Sequence, residues 1–230
     1  MEANAQTFWL ENLKLANQYN AWIFSQILPY LGKEVLEVGC GNGNFTALLA
    51  QKCPRVMAVD LNEEYVKAAK SRLKKHPGVE VLVADATEVQ WERSFDLVIM
   101  LDVLEHIEDD VQMLRQLKDC LKPGGKLVVK VPALEWLYSP MDKAIGHYRR
   151  YNKKTLSQTF RKADFSTPLI WYFNLVGILG WWLNGKVLGC TTPPSEQVGF
   201  FNKIVPLLST IEAKIKPPIG LSLFVVATKA

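Results

Sequence analysis

The chain has 230 residues, of which 49% are hydrophobic, enough to bury the core of one large domain. A formal net charge of +4 is too small to argue for a nucleic-acid partner by itself, and it suits an anionic membrane surface or an acidic substrate equally well. Cys40, Cys53, Cys120 and Cys190 form no C-x-x-C pair and have only three histidines to join them, which leaves no zinc pattern and no disulfide framework.

A reducing compartment is therefore expected. No basic segment followed by an apolar one opens the chain, so no signal peptide is expected either. Residues 5–31 carry apolar residues at helical spacing, and Pro29 and Gly32 end the pattern. Tyr19-Asn20-Ala21-Trp22 falls just before the first strand, so this segment reads either as a helix packed on a sheet edge or as a cover over a site.

Strand 1 is expected over 34–39. It runs into Gly39-Cys40-Gly41-Asn42-Gly43 and then a helix from about 43 to 52. A strand, a glycine turn and a helix start together make a nucleotide-type site, because the helix start presents free N–H groups and glycine admits a ligand close to the main chain. The glycines are spaced by two, which differs from G-x-G-x-x-G. Glu37 lies inside the strand, two residues before the first glycine, where it can reach an ammonium group. NAD has no such group and S-adenosylmethionine (SAM) has one, so SAM is preferred and an NAD-linked oxidoreductase is the rival reading.

Strand 2, Arg55–Asp60, ends in an acid suited to ribose hydroxyls, and Asn62 is free to cap the helix 63–75. Strand 3, Val79–Ala84, leads into Asp85-Ala86. Strand 4 is the apolar run Phe95–Leu101, followed by Asp102, Glu105 and His106. A helix over 108–121 stops at Lys122-Pro123-Gly124-Gly125, and strand 5 covers 126–131. Five alternations of strand and helix imply a parallel sheet with right-handed crossovers. Acids at successive carboxyl strand ends lie where ligands bind in such sheets.

These segments resemble the successive motifs of class I SAM-dependent methyltransferases. The resemblance is carried by Val35-Leu-Glu-Val-Gly-Cys-Gly-Asn-Gly, the strand ending in Asp60, Ala84-Asp-Ala, Phe95-Asp-Leu-Val-Ile-Met-Leu-Asp-Val-Leu-Glu-His and Leu121-Lys-Pro-Gly-Gly. It implies an α/β, Rossmann-like seven-stranded sheet, mostly parallel with an antiparallel last strand, helices on both faces, and a helical insertion between strands 6 and 7. It also implies SAM as cofactor, S-adenosylhomocysteine as product and no metal. Glu37, Gly39, Cys40, Gly41 and Gly43 would hold the methionine end and Asp60 the ribose. Leu61, Asp85 and Ala86 would hold the adenine, with Leu101 near the sulfonium. Tyr19 is added to this set from its position before strand 1.

The acceptor is read from the later part of the chain. Residues 136–154 hold aromatics and Gly146-His147-Tyr148-Arg149-Arg150-Tyr151, a segment similar to one in a bacterial subgroup of these enzymes, with Lys153 and Lys154 beyond it. Cations are unfavourable at a helix start, and paired arginines match carboxylate or phosphate. Arg149 and Arg150, with Tyr148, are therefore expected to orient an anionic group rather than to form a solvated face. His147 is either a general base or a structural hydrogen-bonder.

Residues 165–185 carry no charge, but Leu169–Phe173 is needed as strand 6, which argues against a membrane span. Strand 7 is 221–229. Between them, 174–219 carries Trp181, Trp182, Phe200, Phe201 and an apolar run at Ile204, Leu207, Leu208, Ile211 and Ile215 beside lysines. The chain thus divides into a helical cap (1–32), a cofactor core (33–135), an acceptor loop and helix (136–165) and a helical lid (174–219) of one domain. The expected acceptor is an oxygen nucleophile on an apolar or lipid-like molecule with an anionic group, the alternative being a small natural-product or quinone-type molecule methylated at oxygen, nitrogen or carbon; no nucleic acid is expected. The expected place is cytoplasmic, with the option of peripheral contact at the inner membrane face. The remaining rival is a SAM-binding protein without transfer activity, or a nucleic-acid methyltransferase, although no Asn/Asp-Pro-Pro-Tyr/Phe segment follows strand 4.

Overall fold

A computed structural model describes residues 16–86, 88 and 95–230. Among them, β1 (Glu34–Val38), β2 (Arg55–Asp60), β3 (Val79–Val83), β4 (Phe95–Leu101), β5 (Leu121–Pro132), β6 (Leu169–Phe173) and β7 (Ser222–Thr228) form one sheet in the order β3-β2-β1-β4-β5-β7-β6. The first five strands pair in parallel, and β7 runs antiparallel between β5 and β6. The order reverses at β1 and β4, so a crevice opens beyond their carboxyl ends.

The strands are apolar on both faces because both faces are covered. Successive residues of β4 alternate between two cores. Val98 and Met100 pack with Leu36, Leu127 and Val129 against helices α4 (Asp110–Asp119) and α6 (Lys153–Lys162). Leu97 and Ile99 pack with Val35, Val128 and Phe224 against Trp22, Phe24 and Ile27 of α1 (Asn17–Ile27). Between β1 and β2, α2 (Asn44–Leu49) runs antiparallel to the strands. Helix α3 (Glu63–Leu73) buries Val66, Ala69 and Leu73 against Ala58 and Val81, and Asn62 caps it by accepting from the N–H groups of Glu64 and Tyr65.

Some expected boundaries move. The helix expected over 5–31 is seen as α1 with a short 3-10 turn after it, and its residues 5–15 lie outside the described part. Strand β5 begins five residues early, because Leu121 pairs with Phe95 before the Lys122–Gly125 segment shifts the register and Lys126 pairs with Leu97. Helix α6 starts at Lys153, with Asn152 accepting from the Thr155 N–H as its cap.

The insertion leaves the sheet after β6. It holds a short helix α7 (Gly177–Trp181), a π-helical turn over Trp182–Val187, and the long helix α8 (Ser195–Ile215). At its root, the Glu212 carboxylate accepts from the N–H groups of Asn174 and Leu175. Helix α8 lies on α1, where Tyr19 N–H donates to Asn202 Oδ1 at 3.1 Å and the Tyr19 and Phe201 rings meet edge-on. Val205 is its one fully buried position, while Leu207, Ile211 and Ile215 face solvent. The apolar run expected in this helix therefore lies mostly outside the core.

Candidate active site

One cavity of about 1210 Å³ lies at the carboxyl ends of β1, β2, β4 and β5. The glycine turn forms its floor on one side. Gly39 has φ +76°, and a Cβ there would come within 2.3 Å of Val103 Cγ2, so only glycine lets the turn close over β4. Gly41 N–H donates to Asp60 Oδ2 at 2.8 Å, and Asn62 N–H donates to Asp60 Oδ1 at 2.9 Å. Asp60 thus orders the turn and also lines the cavity. Asn62, not Asp60, caps α3.

Glu37 is buried and has Thr46 Oγ1 as hydroxyl donor at 2.6 Å. Burial pushes its carboxyl up to about 8, against the Thr46 bond. At neutral pH such a group stays mostly protonated until a cation arrives. That requirement fits the ammonium of SAM, and the Gly39 cradle and the Asp60 carboxylate fit its backbone-hugging and hydroxyl-bearing parts. Tyr19, Cys40, Leu61, Asp85, Ala86 and Leu101 also line the cavity. Gly43 does not. It holds φ +78° as the cap of α2, and its open side meets Ala69, so its work is to pack α2 on α3.

The acceptor side differs more from expectation. His147 is buried and lines the cavity, with Nδ1 2.9 Å from Asp142 Oδ1 and Nε2 3.6 Å from Glu105 Oε1. Arg150 is turned away from the cavity. Its Nε donates to Asp142 Oδ1 at 2.7 Å and its Nη1 to the Ala133 carbonyl at 2.8 Å. Arg149 pairs with Asp110 at 3.1 Å, donates to the Glu108 carbonyl and stacks on Tyr148, which is itself largely exposed. Neither arginine, nor Tyr148, lines this cavity; Arg149 and Arg150 line a separate surface pocket with Asp110 and Tyr151, and protein carboxylates and carbonyls take several of their donors.

Several buried residues in or beside the cavity were given no site role from the sequence. Lys130 is buried mid-strand, with Nζ at 2.6 and 2.5 Å from the two oxygens of Asp102. Burial opposes its charge, but Asp102 outweighs that and holds the lysine above its ordinary range. The signal was a lone cation within the apolar run Leu127–Val131. Asp142, fully buried, was announced by Ser139-x-x-Asp142, a capping-box pattern. Glu105 is buried with neither carboxylate oxygen hydrogen-bonded, and burial, then Asp102, raises it well above the carboxylate range. Glu105, His106 and His147 bring three potential ligand atoms within 4.8 Å of one another. His106 is kept neutral, lowered to about 4 by burial and by His147.

The open sheet, its switch point and the acid-and-glycine cradle define a class I, Rossmann-like methyltransferase domain. Residues 36–129 match the family model described as a methyltransferase domain, so the chain carries a methyltransferase domain of the SAM-dependent class I type. It is 30% identical over 136 residues to a ubiquinone biosynthesis O-methyltransferase of Coxiella burnetii (strain RSA 493 / Nine Mile phase I), covering 54% of this chain and 56% of that protein. It is 32% identical over 141 residues to the protein of that name from Xanthomonas euvesicatoria pv. vesicatoria (strain 85-10), covering 55% and 59%. The matched part thus spans little more than half the length of these curated relatives. Among solved structures, a SAM-dependent methyltransferase from Archaeoglobus fulgidus aligns with a TM-score of 0.62 at 18% identity, over 93% of this chain and 94% of that one. One from Mesorhizobium loti aligns with a TM-score of 0.64 at 16% identity, over 92% and 99%. These two likenesses carry the fold.

Proposed function

We propose that this protein transfers the methyl group of SAM to an oxygen of an apolar, lipid-like acceptor. The observation that carries the reading is the cavity. At about 1210 Å³ it exceeds the usual size of a single-ligand pocket, and it runs from the glycine turn past His147 to Val176, Leu179, Phe200 and Ile204 of the insertion. One end suits a charged nucleotide-type cofactor and the other an apolar molecule.

Bound SAM supplies an activated methyl on its sulfonium. Glu37 holds the ammonium end, Asp60 the ribose hydroxyls, and Asp85 and Ala86 the base. The chain's remaining task is positioning and water exclusion. Because Arg149 and Arg150 are occupied elsewhere, a hydroxyl acceptor is favoured over a carboxylate or phosphate, and His147 takes the proton that the hydroxyl loses. The name of the bacterial relatives, ubiquinone biosynthesis O-methyltransferase, is in keeping with an oxygen acceptor on an apolar molecule.

In this reading residues 1–230 work as one domain, with 174–219 as its lid. The insertion exposes Leu179 and Phe200 by about two-thirds (67% and 66%), and both line the cavity as well, so the mouth opens onto an apolar surface. Lys186, Lys203, Lys214 and Lys216 are exposed around it. That combination supports peripheral contact with an anionic membrane, from which an apolar acceptor would enter. No described helix is long and apolar enough to cross a membrane. The test is transfer of labelled methyl from SAM into fractionated cell extracts. Label in the apolar fraction is expected. Equal labelling of RNA would sink the acceptor class, and SAM binding without transfer into any fraction would sink the enzyme.

A further inference from the structure

Asp142 holds more partners than a helix cap needs. Its side chain is fully buried in α5 (Pro140–Ala144) and takes five donors. Oδ2 accepts from Ser139 N–H at 3.0 Å, Ser139 Oγ at 3.1 Å and Trp181 Nε1 at 3.2 Å. Oδ1 accepts from His147 Nδ1 at 2.9 Å and Arg150 Nε at 2.7 Å. The two Ser139 bonds complete the capping box, and Arg150 balances the charge. The bonds to His147 and Trp181 serve neither purpose, and they join the loop after β5 to the insertion.

The protonation states follow from this geometry. Burial opposes ionisation of Asp142, but the His147 bond and the Arg150 guanidinium outweigh it and hold the carboxyl below its usual range. An ionised carboxylate only accepts, so the proton of a neutral His147 sits on Nδ1 and the lone pair on Nε2. His147 lines the cavity, and its Nε2 lies 3.6 Å from Glu105, too far for a hydrogen bond between them.

The insertion is packed onto this unit at a second point. A Cβ on Gly185, in the π-helical turn, would come within 2.5 Å of Ser139 Oγ. The Arg150 guanidinium also stacks over the Trp181 ring, 4.5 Å from its centroid. Displacing the insertion would therefore remove a donor from Asp142 and the aromatic face from Arg150 together.

We propose that Asp142 is the positioning residue for His147, and that Trp181 of the insertion holds Asp142 in place, so that the proton acceptor is set by the same element that walls the acceptor pocket. This rests on the reading of His147 as the base. The arrangement makes methyl transfer conditional on a seated insertion while leaving the cofactor cradle around Glu37 and Asp60 untouched.

The test has two arms. In ¹⁵N-labelled protein, with the His147 signals assigned by His147→Gln, the imidazole is expected as the Nδ1–H form, and Asp142→Asn is expected to abolish that preference. With the apolar extract as acceptor, Asp142→Asn is expected to lower kcat by about 10²-fold. Trp181→Phe, which keeps a ring but loses the N–H, is expected to lower it about tenfold, in line with one lost charge-assisted hydrogen bond. The Kd for SAM should stay within twofold in both. An unchanged tautomer in Asp142→Asn overturns the proposal, and so do kcat losses matched by equal losses of SAM affinity. Should Asp142→Asn fail to fold with Arg150 unpaired, Trp181→Phe decides alone, and an unchanged kcat overturns the proposal. If wild-type protein labels no fraction, the methyltransferase reading fails, and the tautomer arm still tests the Asp142–His147 pairing.

Discussion

Thr46 Oγ1 donates to Glu37 Oε2 at 2.6 Å, and this is the one hydrogen bond seen for a buried carboxyl at the floor of the cavity. With burial lifting that carboxyl to about 8, the folded protein without ligand keeps a proton at neutral pH that the unfolded chain, near its ordinary 4.5, has lost. Stability from this group is therefore present at low pH and declines as pH rises from about 4.5 to 8. An arriving ammonium reverses the balance and drives the proton off. Calorimetry of SAM binding at pH 7 in buffers of different ionisation heat should show release of up to one proton. Glu37→Gln should make the heat independent of buffer and weaken binding about 30-fold or more. A buffer-independent heat in wild type would remove Glu37 as the ammonium partner.

Gly39 offers a test that separates strain from collision. Gly39 and Gly124 have nearly the same φ, +76° and +75°, but a Cβ on Gly39 meets Val103 at 2.3 Å while one on Gly124 meets nothing within 4 Å. Gly124→Ala should cost about 1 kcal/mol from backbone conformation alone. Gly39→Ala should cost more, about 2–4 kcal/mol, and weaken SAM binding at least about tenfold. Adding Val103→Ala should recover the collision part and leave the conformational part. Urea denaturation and a SAM titration of the wild type and the three variants measure both, and equal costs at the two glycines would contradict the close approach.

That Glu37, Gly39, Gly41 and Asp60 gather at one cavity was legible in the sequence because their signals are local. Glu37, the glycines and Asp60 are fixed by strand ends and a turn a few residues long. The acceptor half was not, because its partners come from remote segments. Arg149 and Arg150 look like anion ligands until α4 supplies Asp110 and α5 supplies Asp142. His147 left two roles open, and a cavity completed by an insertion some thirty residues later bears on them. Lys130 carried a readable signal, a charge inside an apolar strand, but its Asp102 partner depends on the β4–β5 register. The run at Leu207, Ile211 and Ile215 has helical spacing, yet periodicity cannot say whether a face meets core or solvent.

The Lys130–Asp102 pair should respond asymmetrically. Lys130 is almost wholly buried, whereas the Asp102 side chain is 44% exposed. Removing the acid strands a cation away from water, and removing the lysine leaves an acid that water can still reach. Asp102→Asn should cost about 3 kcal/mol in urea unfolding, and Lys130→Met less than about 1 kcal/mol. Equal losses would mean that Lys130 is better hydrated than its burial implies.

The proposed membrane contact can be separated from the proposed chemistry. The exposed side of the insertion combines Leu207, Ile211 and Ile215 with Lys203, Lys214 and Lys216 on one helix and its end. Lysines near an anionic surface contribute about 1 kcal/mol each, and salt screens that attraction, whereas apolar insertion is insensitive to moderate salt. Wild-type protein should float with phosphatidylglycerol-containing vesicles and be partly released by 0.5 M salt. Changing the three lysines to glutamate should abolish flotation while leaving SAM affinity unchanged, because none of them lines the cavity. Changing Leu207 and Ile211 to serine should weaken flotation at every salt concentration. A wild type that does not float on anionic vesicles would confine the apolar surface to another use. A lysine variant that loses flotation and transfer into an apolar extract, but keeps SAM affinity and transfer to a detergent-solubilised acceptor, would tie acceptor entry to the membrane face of the insertion.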